Sequence, residues 1–264
     1  MKRILGTIIL IIAIICFGWS AFSLGKYAWQ TWTTQKNLDN LADKVNNDTI
    51  SIPDTDKESG ESEDPVSESE AMMEKYGELY KENKDFIGWL SVEGTKINYP
   101  VMYTPNDPEY YLRKNFDGDY DIGGMLFVDA RCTFNPTSTD TIIYGHHMNN
   151  GTMFGPLMDF QDNDYLKKHT TITFDTIYRP GTYKIFASFQ SKAYDPDSEE
   201  FKYYDFINAE TSYDFEEYLN NIKNLSLYYD EENAPSFGDE IITLSTCDYY
   251  TTDGRFAVLA KRIK

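Results

Sequence analysis

One uncharged apolar segment near the N-terminus, residues 4–24, restricts this chain more than any other feature. About 20 helical residues cross the roughly 30 Å hydrocarbon core of a bilayer, so the segment is long enough to span a membrane. Because Lys2 and Arg3 precede it, the positive-inside rule predicts a cytoplasmic stub at residues 1–3, a single transmembrane anchor and an extracellular remainder. The alternative is a cleaved signal peptide, whose apolar part is usually about 7–15 residues long.

The segment after the anchor is acidic and poor in large apolar residues. Residues 46–70 are rich in Ser, Asp and Glu, and such a stretch buries too little surface to offset the entropy of ordering. We predict that residues 25–70 form an extracellular, disordered, acidic linker, in which residues 35–45 could extend the anchor helix. The formal net charge of −19 argues against nucleic acid as a partner, because phosphate binding needs a basic surface.

The rest of the chain, residues 71–264, contains eight short runs with the composition of β-strands. Clusters of Gly, Pro, Asn and Asp separate them, and an aromatic content of 16% also favours strands. Eight strands suit a closed barrel or a sandwich, so we predict a mainly β domain. The candidate strands are residues 89–92, 96–102, 125–130, 140–144, 170–178, 182–190, 240–246 and 255–263.

Two amphipathic segments are predicted to be helices. Residues 71–88 form an N-terminal helical part, in which Tyr76 and Leu79 stand at helical spacing. Residues 211–225 begin with a Thr or Ser N-cap and early acidic residues, and carry an apolar stripe that includes Phe215. This second helix falls in the interval of about fifty residues between the sixth and seventh strands, which is too long for a bare loop.

Near the C-terminus, an apolar strand ends in a small polar run that presents a cysteine. The run consists of Thr243, Leu244, Ser245, Thr246 and Cys247. Arg255 opens the last candidate strand, so pairing of the two strands would bring Cys247 and Arg255 together at one end. A guanidinium stabilises a thiolate and donates hydrogen bonds to a developing oxyanion. The pair therefore points to nucleophilic chemistry by a thiol.

A second apolar strand ends in Tyr144, Gly145, His146 and His147, which include two of the three histidines of the chain. A cysteine nucleophile needs a partner that exchanges a proton near neutral pH and protonates the leaving amine, and histidine is that partner. Successive strand residues face opposite sides, so spacing alone does not decide between the two adjacent histidines.

These motifs together resemble a known family. Residues 243–247 resemble the Thr-Leu-x-Thr-Cys signature of sortases, the cysteine transpeptidases of Gram-positive bacterial surfaces. Tyr144, Gly145 and His146 resemble their histidine motif, and Arg255 stands where their arginine follows the cysteine. The resemblance covers residues 86–264, roughly, and the N-terminal anchor is also usual in that family. It implies that Cys247, His146 and Arg255 are the catalytic residues.

The resemblance also implies a fold and a reaction. It implies an eight-stranded sortase β-barrel of class B, which carries an N-terminal helical segment and a long helix between strands six and seven. A surface protein with a C-terminal sorting motif would be cleaved after a Thr through a thioacyl intermediate, then transferred to an amine of a peptidoglycan or lipid-linked precursor. We expect no cofactor and no metal, because neither a phosphate-binding loop nor a cluster of metal ligands is present in the sequence.

Three alternatives stay open at this point. A membrane-anchored cysteine peptidase would use the same residues and only hydrolyse its substrate. A non-catalytic surface binding module would leave Cys247 unreactive. A disulfide between Cys132 and Cys247 would remove the nucleophile, although one buried structural thiol and one reactive thiol is the preferred interpretation.

Overall fold

The computed structural model describes residues 2–47, 65–248 and 252–264, and the chain divides into two compact units, Met1–Asn40 and Leu41–Lys264. Helix α1 (Lys2–Asn47) forms the described part of the first unit and ends seven residues beyond it, at Asn47. Its apolar side chains are exposed, Phe17 by 77% and Trp19 by 73%, so they require apolar surroundings. By length and composition, α1 is the one described helix that could cross a membrane.

Helical structure extends further into the predicted linker than the sequence suggested. Helix α1 continues through residues 25–47, and helix α2 (Pro65–Glu82) begins before residue 71, so both flanks of the linker are helical. Prolonging a formed helix is far cheaper than nucleating a new one, which the composition argument overlooked. Pro65 stands at the first helical position, where its missing N–H has no cost. Linker residues 48–64 lie outside the described residues.

Helix α2 packs against the domain, as its apolar stripe predicted. Tyr76 and Leu79 are both 2% exposed. The buried carboxylate of Asp175 accepts hydrogen bonds from Lys75 Nζ at 2.8 Å and from the Tyr76 hydroxyl at 2.9 Å. A charged group that is shielded from water needs such partners, so Asp175 fixes where α2 lies on the sheet.

The second unit is built on a sheet of nine described strands that closes into a barrel. The strands are β1 (Phe86–Val92), β2 (Asn98–Met102), β3 (Leu126–Val128), β4 (Asp140–Tyr144), β5 (Thr171–Thr176), β6 (Thr182–Lys192), β7 (Ser226–Tyr229), β8 (Ile241–Asp248) and β9 (Gly254–Arg262). Their order is β5-β1-β2-β3-β4-β8-β9-β6-β7, and pairing of β5 with the start of β6 closes eight of them into a ring. The predicted eight-stranded barrel is therefore confirmed, and β7 is an additional short strand on β6.

Most pairs in the ring are antiparallel, but β2 with β3 and β4 with β8 run parallel. Parallel neighbours present their carboxyl ends at the same rim of the barrel. The ends of β4 and β8 therefore lie side by side, and the histidine and cysteine motifs stand at these two strand ends.

The helix predicted between the sixth and seventh strands is present as α4 (Ser212–Leu225), after a short helix α3 (Asn163–Leu166). The Thr211 hydroxyl accepts from the Asp214 amide at 3.2 Å, and the Asp214 carboxylate accepts from the Thr211 amide at 3.0 Å, which completes a capping box. Phe215 buries against side chains of β6 and β9. The insertion is thus a packed wall on the outside of the barrel.

Candidate active site

The cysteine and arginine motifs meet on neighbouring strands. Strands β8 and β9 are antiparallel, and their register pairs Cys247 directly with Arg255. Cys247 is described through its backbone alone. Paired residues on adjacent strands have their Cβ atoms about 4.5–5.5 Å apart on the same face of the sheet. The predicted proximity of these two positions is therefore confirmed at the level of the backbone.

The histidine motif reaches the same rim from the other side of β8. The parallel register pairs Tyr144 with Ser245, the Gly145 amide donates to the Ser245 carbonyl at 3.2 Å, and the Thr246 hydroxyl donates to the Gly145 carbonyl at 2.8 Å. His146 follows directly and comes level with the end of β8. Three adjacent strands, β4, β8 and β9, thus bring the three motifs together.

Gly145 is required by close packing. A Cβ atom built on it would lie 2.5 Å from Leu126 Cδ2 and 2.7 Å from Phe154 Cδ2, closer than carbon atoms approach one another. Only a glycine fits at position 145, because the backbone there lies against both Leu126 of β3 and Phe154. This tight passage fixes the direction in which the next residue, His146, leaves the sheet.

The imidazole of His146 is half-buried and held by one hydrogen bond. Its Nε2 lies 2.8 Å from the Leu112 carbonyl oxygen, which can only accept, so Nε2 carries a proton and Nδ1 is left for proton transfer. Burial lowers the pKa of His146, the hydrogen bond to Leu112 opposes this, and the charge of Arg113 lowers it further. The net effect favours the neutral imidazole.

The neighbouring histidine has a different place. His147 forms an isolated backbone bridge with Met153, in the loop that follows β4. His146 borders the cavity described below, whereas His147 is not among the described residues that border it. The geometry therefore favours His146 over His147.

The run before the cysteine position has packing roles. The Thr243 hydroxyl donates to Asp140 Oδ2 at 2.7 Å, Leu244 is fully buried, and the Ser245 hydroxyl shares a hydrogen bond of 2.6 Å with the Tyr203 hydroxyl. These contacts lock β8 to the inside of the barrel and to the segment after β6. They hold the end of the strand, where Cys247 lies, in a defined position.

A cavity of about 500 Å³ opens at this rim. Arg255 borders it and is tethered by its Nη1, which donates to the carbonyls of Asp253 at 3.3 Å and Gly254 at 3.0 Å. The predicted site residues that border the cavity are Tyr144, Gly145, His146, Ser245, Thr246 and Arg255. Thr243 and Leu244 lie deeper in the barrel. The cavity is large enough for several residues of an extended peptide.

The sequence did not reveal two further residues of the cavity wall, Asp129 and Arg131. Asp129 accepts from Arg131 Nε at 2.9 Å, from Arg131 Nη2 at 2.8 Å and from the Tyr144 hydroxyl at 3.0 Å. Burial alone would raise the pKa of Asp129, but the bonds from Arg131 and Tyr144 outweigh it and hold this pKa below its usual value. In the sequence, the one sign of this pair is that an acidic and a basic residue, Asp129 and Arg131, stand two positions apart just after β3.

Cys132 has the properties of a structural thiol. It is a free, fully buried cysteine, and its Sγ lies 3.5 Å from the Asp140 carbonyl oxygen. Burial, opposed in part by a backbone hydrogen bond, raises the pKa of Cys132 to about 12, so it stays a thiol at neutral pH. Because Cys132 is free, the alternative of a Cys132–Cys247 disulfide is wrong.

Comparison with known proteins gives one consistent result. A sortase domain model matches residues 90–263. Sortase B of Listeria monocytogenes is 31% identical over 248 residues, which cover 94% of this chain and 92% of the relative. The structure of a Staphylococcus aureus sortase B–substrate complex is 30% identical with a TM-score of 0.64, and the match covers 75% of this chain and 92% of that chain. A sortase B complexed with triglycine is 29% identical with a TM-score of 0.64, over 75% and 93% of the two chains.

Proposed function

Because this chain belongs to the sortase family, we propose that its cysteine transpeptidase activity resides at the rim where β4, β8 and β9 end, with Cys247 as the nucleophile, His146 as the proton-transfer group and Arg255 as the oxyanion partner. The observation that carries this proposal is the direct pairing of Cys247 with Arg255 in the β8–β9 register. The substrate is a surface protein with a C-terminal sorting motif, and the product is that protein joined to the cell wall.

In the first half-reaction, the Cys247 thiolate attacks the carbonyl carbon of the motif threonine. The carbonyl oxygen gains the negative charge. The Arg255 guanidinium either stabilises this charge or holds the sorting motif in place. Collapse of the tetrahedral intermediate breaks the C–N bond, and His146 donates its Nδ1 proton to the departing amine. The result is a thioacyl enzyme, a free amine on the released segment and a neutral imidazole.

In the second half-reaction, an amine of a peptidoglycan or lipid-linked precursor attacks the thioacyl carbon. Neutral His146 accepts the proton that this amine loses, an amide bond forms, and the Cys247 thiolate leaves. The relative complexed with triglycine supports an amine-terminated acceptor. Because its pKa is lowered, neutral His146 is a weaker base in this step. For the same reason, its imidazolium is a stronger acid in the first half-reaction.

The lowered pKa of His146 also bears on the share of enzyme that is ready to react. With reference pKa values for Cys and His, about 1% of molecules hold the thiolate–imidazolium pair at pH 7. A pKa of His146 below its usual value reduces the share of molecules that hold this pair. A thiolate close to the imidazolium would raise the pKa of His146 again. We therefore expect slow turnover.

The proposal extends to class and location. The N-terminal helix α2 and the inserted helix α4 support class B. We propose that α1 anchors the enzyme as a single-pass helix, with Lys2 and Arg3 in the cytoplasm and the catalytic unit outside, facing the cell wall. Protease digestion of intact cells would degrade the catalytic unit if this orientation is right and would spare it if the orientation is reversed.

The deciding experiment traps the acyl enzyme. The full-length protein in detergent micelles is incubated with sorting peptides that end in Thr and a small residue, and the intact mass is measured. We expect an adduct on the wild type and on Cys132→Ala, the matched control, and none on Cys247→Ala. An adduct that survives in Cys247→Ala would overturn the assignment of the nucleophile.

The same preparation separates a transpeptidase from a peptidase. Triglycine is added after the adduct has formed, and the released product is identified by mass. A transpeptidase yields the peptide–triglycine amide, whereas a peptidase yields the free acid alone. Release of acid without amide over a range of triglycine concentrations would contradict the transfer step.

A further inference from the structure

A polar cluster, which we call the Arg131 clamp (Asp129, Arg131, Tyr204 and Asp205), connects two walls of the cavity. Arg131 Nη2 donates to the Tyr204 carbonyl as well as to Asp129, and Nη1 lies 3.5 Å from Asp205 Oδ1. Asp129 and Arg131 follow β3, whereas the other two belong to the 3₁₀ turn Tyr203–Asp205 between β6 and α4. One guanidinium thus ties the loop after β3 to the inserted segment.

The turn is held on its other side by contacts that reach the cysteine-bearing strand. Tyr203 is buried and shares its 2.6 Å hydrogen bond with Ser245. The Tyr204 hydroxyl accepts from the Tyr194 amide at 2.9 Å, which links the turn to the chain just after β6. The wall of the cavity that Ala193, Tyr203 and Tyr204 form therefore depends on where this turn lies.

Asp129 and Arg131 keep their charges at neutral pH. Bonds from Arg131 and Tyr144 hold Asp129 ionised, and the hydrogen bond with Asp129 raises the pKa of Arg131 above its usual value. The Arg131 side chain is 49% exposed, but the Asp129 side chain is only 10% exposed, so loss of Arg131 would leave a buried carboxylate short of partners. An Arg that pairs with a buried carboxylate and also bridges two loops at a cavity is suited to shaping the cavity.

We propose that Arg131 is a positioning residue that clamps the turn Tyr203–Asp205 against the barrel and thereby sets the shape of the groove for the sorting peptide. The proposal rests on the proposed function, because it assigns the cavity to the peptide. Arg131 acts through Tyr204 and its neighbours on binding, and takes no part in proton transfer or in attack by the thiol.

The expected kinetic signature is a change in KM without a change in kcat. Loss of the clamp removes binding that the ground state and the transition state share, so KM rises and kcat stays within about twofold. Since charged hydrogen bonds are lost, the rise in KM is on the order of tenfold. A looser groove also discriminates less, so the ratio of kcat/KM between two peptides that differ in side-chain volume before the Thr falls toward one.

The variants are compared in the full-length protein in detergent micelles, with the same sorting peptides and triglycine. Arg131→Ala removes the clamp. Arg131→Lys keeps the charge and one donor nitrogen but loses the Nε bond to Asp129 and the Nη1 contact with Asp205, so its KM should lie between those of Arg131→Ala and wild type. Tyr204→Phe removes the acceptor of the Tyr194 amide and should also raise KM. Combined with Arg131→Ala, it should raise KM by less than the product of the single effects, because both changes free the same turn.

The matched control is Arg179→Ala. Arg179 also bridges two segments, since its Nη2 donates to Glu240 Oε2 and to the Thr137 hydroxyl, but it is not among the described residues that border the cavity. Its KM and peptide preference should equal those of wild type. The rate at which iodoacetamide alkylates Cys247 reports the thiol without using the groove, and it should be unchanged in Arg131→Ala.

The outcomes separate the two levels of the argument. A wild-type chain that forms no adduct on Cys247 would overturn the proposed function and the clamp with it. An active wild type whose KM and preference persist in Arg131→Ala overturns the clamp alone. A fall in kcat and in the alkylation rate with unchanged KM would also overturn it, because Arg131 would then act on the catalytic centre.

Discussion

The buried carboxyl group of Asp140 makes a prediction about stability that can be worked through from the structure. Asp140 opens β4 and is fully buried. Its Oδ2 accepts from the Thr243 hydroxyl at 2.7 Å and from the Tyr218 hydroxyl at 3.2 Å, while Oδ1 has no hydrogen-bond partner among the described residues. Burial raises the pKa of Asp140 to about 7, because it outweighs the two hydrogen bonds.

The sign of the effect follows from proton linkage. Between an unfolded pKa of about 3.8 and a folded pKa of about 7, the folded chain binds one proton more than the unfolded chain. The free energy of unfolding therefore falls as the pH rises through this window, by about 1.4 kcal/mol per pH unit. Ionised Asp140 costs about 4 kcal/mol above pH 7, and about half of that loss or more falls between pH 5 and pH 7.

Asp140→Asn removes the carboxyl group that titrates and keeps nearly the same side-chain shape. The new amide nitrogen would sit where Oδ1 has no described partner, which costs about 1–3 kcal/mol at every pH. The difference in stability between variant and wild type should therefore shift in favour of the variant by about 3 kcal/mol from pH 5 to pH 8. This pH-dependent difference does not depend on the size of the constant penalty.

Urea unfolding of the unit Leu41–Lys264 measures this shift, because Trp89 is its one tryptophan and is buried. Asp117→Asn, at an exposed position, is the matched control and should show no shift. If Asp140→Asn and wild type lose stability in parallel from pH 5 to pH 8, Asp140 is ionised throughout, and the reasoning from burial is refuted.

Two further predictions concern the histidine motif. Arg113→Ala should raise the pKa of His146, because it removes the charge of Arg113, the smaller of the two causes that lower this pKa; the larger cause, burial, stays. The acid limb of the pH profile of kcat/KM should then move to higher pH. Arg113→Lys keeps the charge and should leave the acid limb in place. Gly145→Ala should destabilise the fold by about 1–3 kcal/mol and reduce activity, because its Cβ would overlap Leu126 and Phe154. The control is Gly77→Ala in α2, where the added Cβ meets only Met73 at 3.9 Å, and it should not destabilise the fold. Equal melting temperatures and activities for Gly145→Ala and wild type would contradict the packing argument.

Local sequence patterns predicted most of the elements. The eight strands were predictable because apolar runs alternate with turn residues, and α4 was predictable because Thr211 and Asp214 form a capping box that can be read from their spacing. Strand β7 was missed, because its four residues follow α4 directly and no turn residue separates them. The early start of α2 was missed because its first residues are polar, and tertiary contacts at Asp175 favour the helix.

Features that depend on pairing across the sheet could not be predicted. From the sequence, Cys247 lies near Arg255 only if β8 and β9 are neighbours. The structure shows that the two strands do pair, with Cys247 opposite Arg255. The parallel pairing of β4 with β8, which brings His146 to the same rim, left no local mark in the sequence. The burial of Asp140 could not be predicted, because Asp140 opens a strand and one of its hydrogen-bond partners, Tyr218, belongs to α4, far away in the chain.

The position of β9 in the ring has a consequence for how the enzyme matures. β9 follows all other described strands in the chain, yet it lies between β8 and β6, so the ring stays open until β9 has docked. A chain still being synthesised would hold the proposed nucleophile, Cys247, before Arg255 has paired with it. The pairing of β9 with β6, which lies much earlier in the chain, is non-local and therefore forms slowly. Assembly order alone would therefore delay the appearance of a working nucleophile until the barrel is complete.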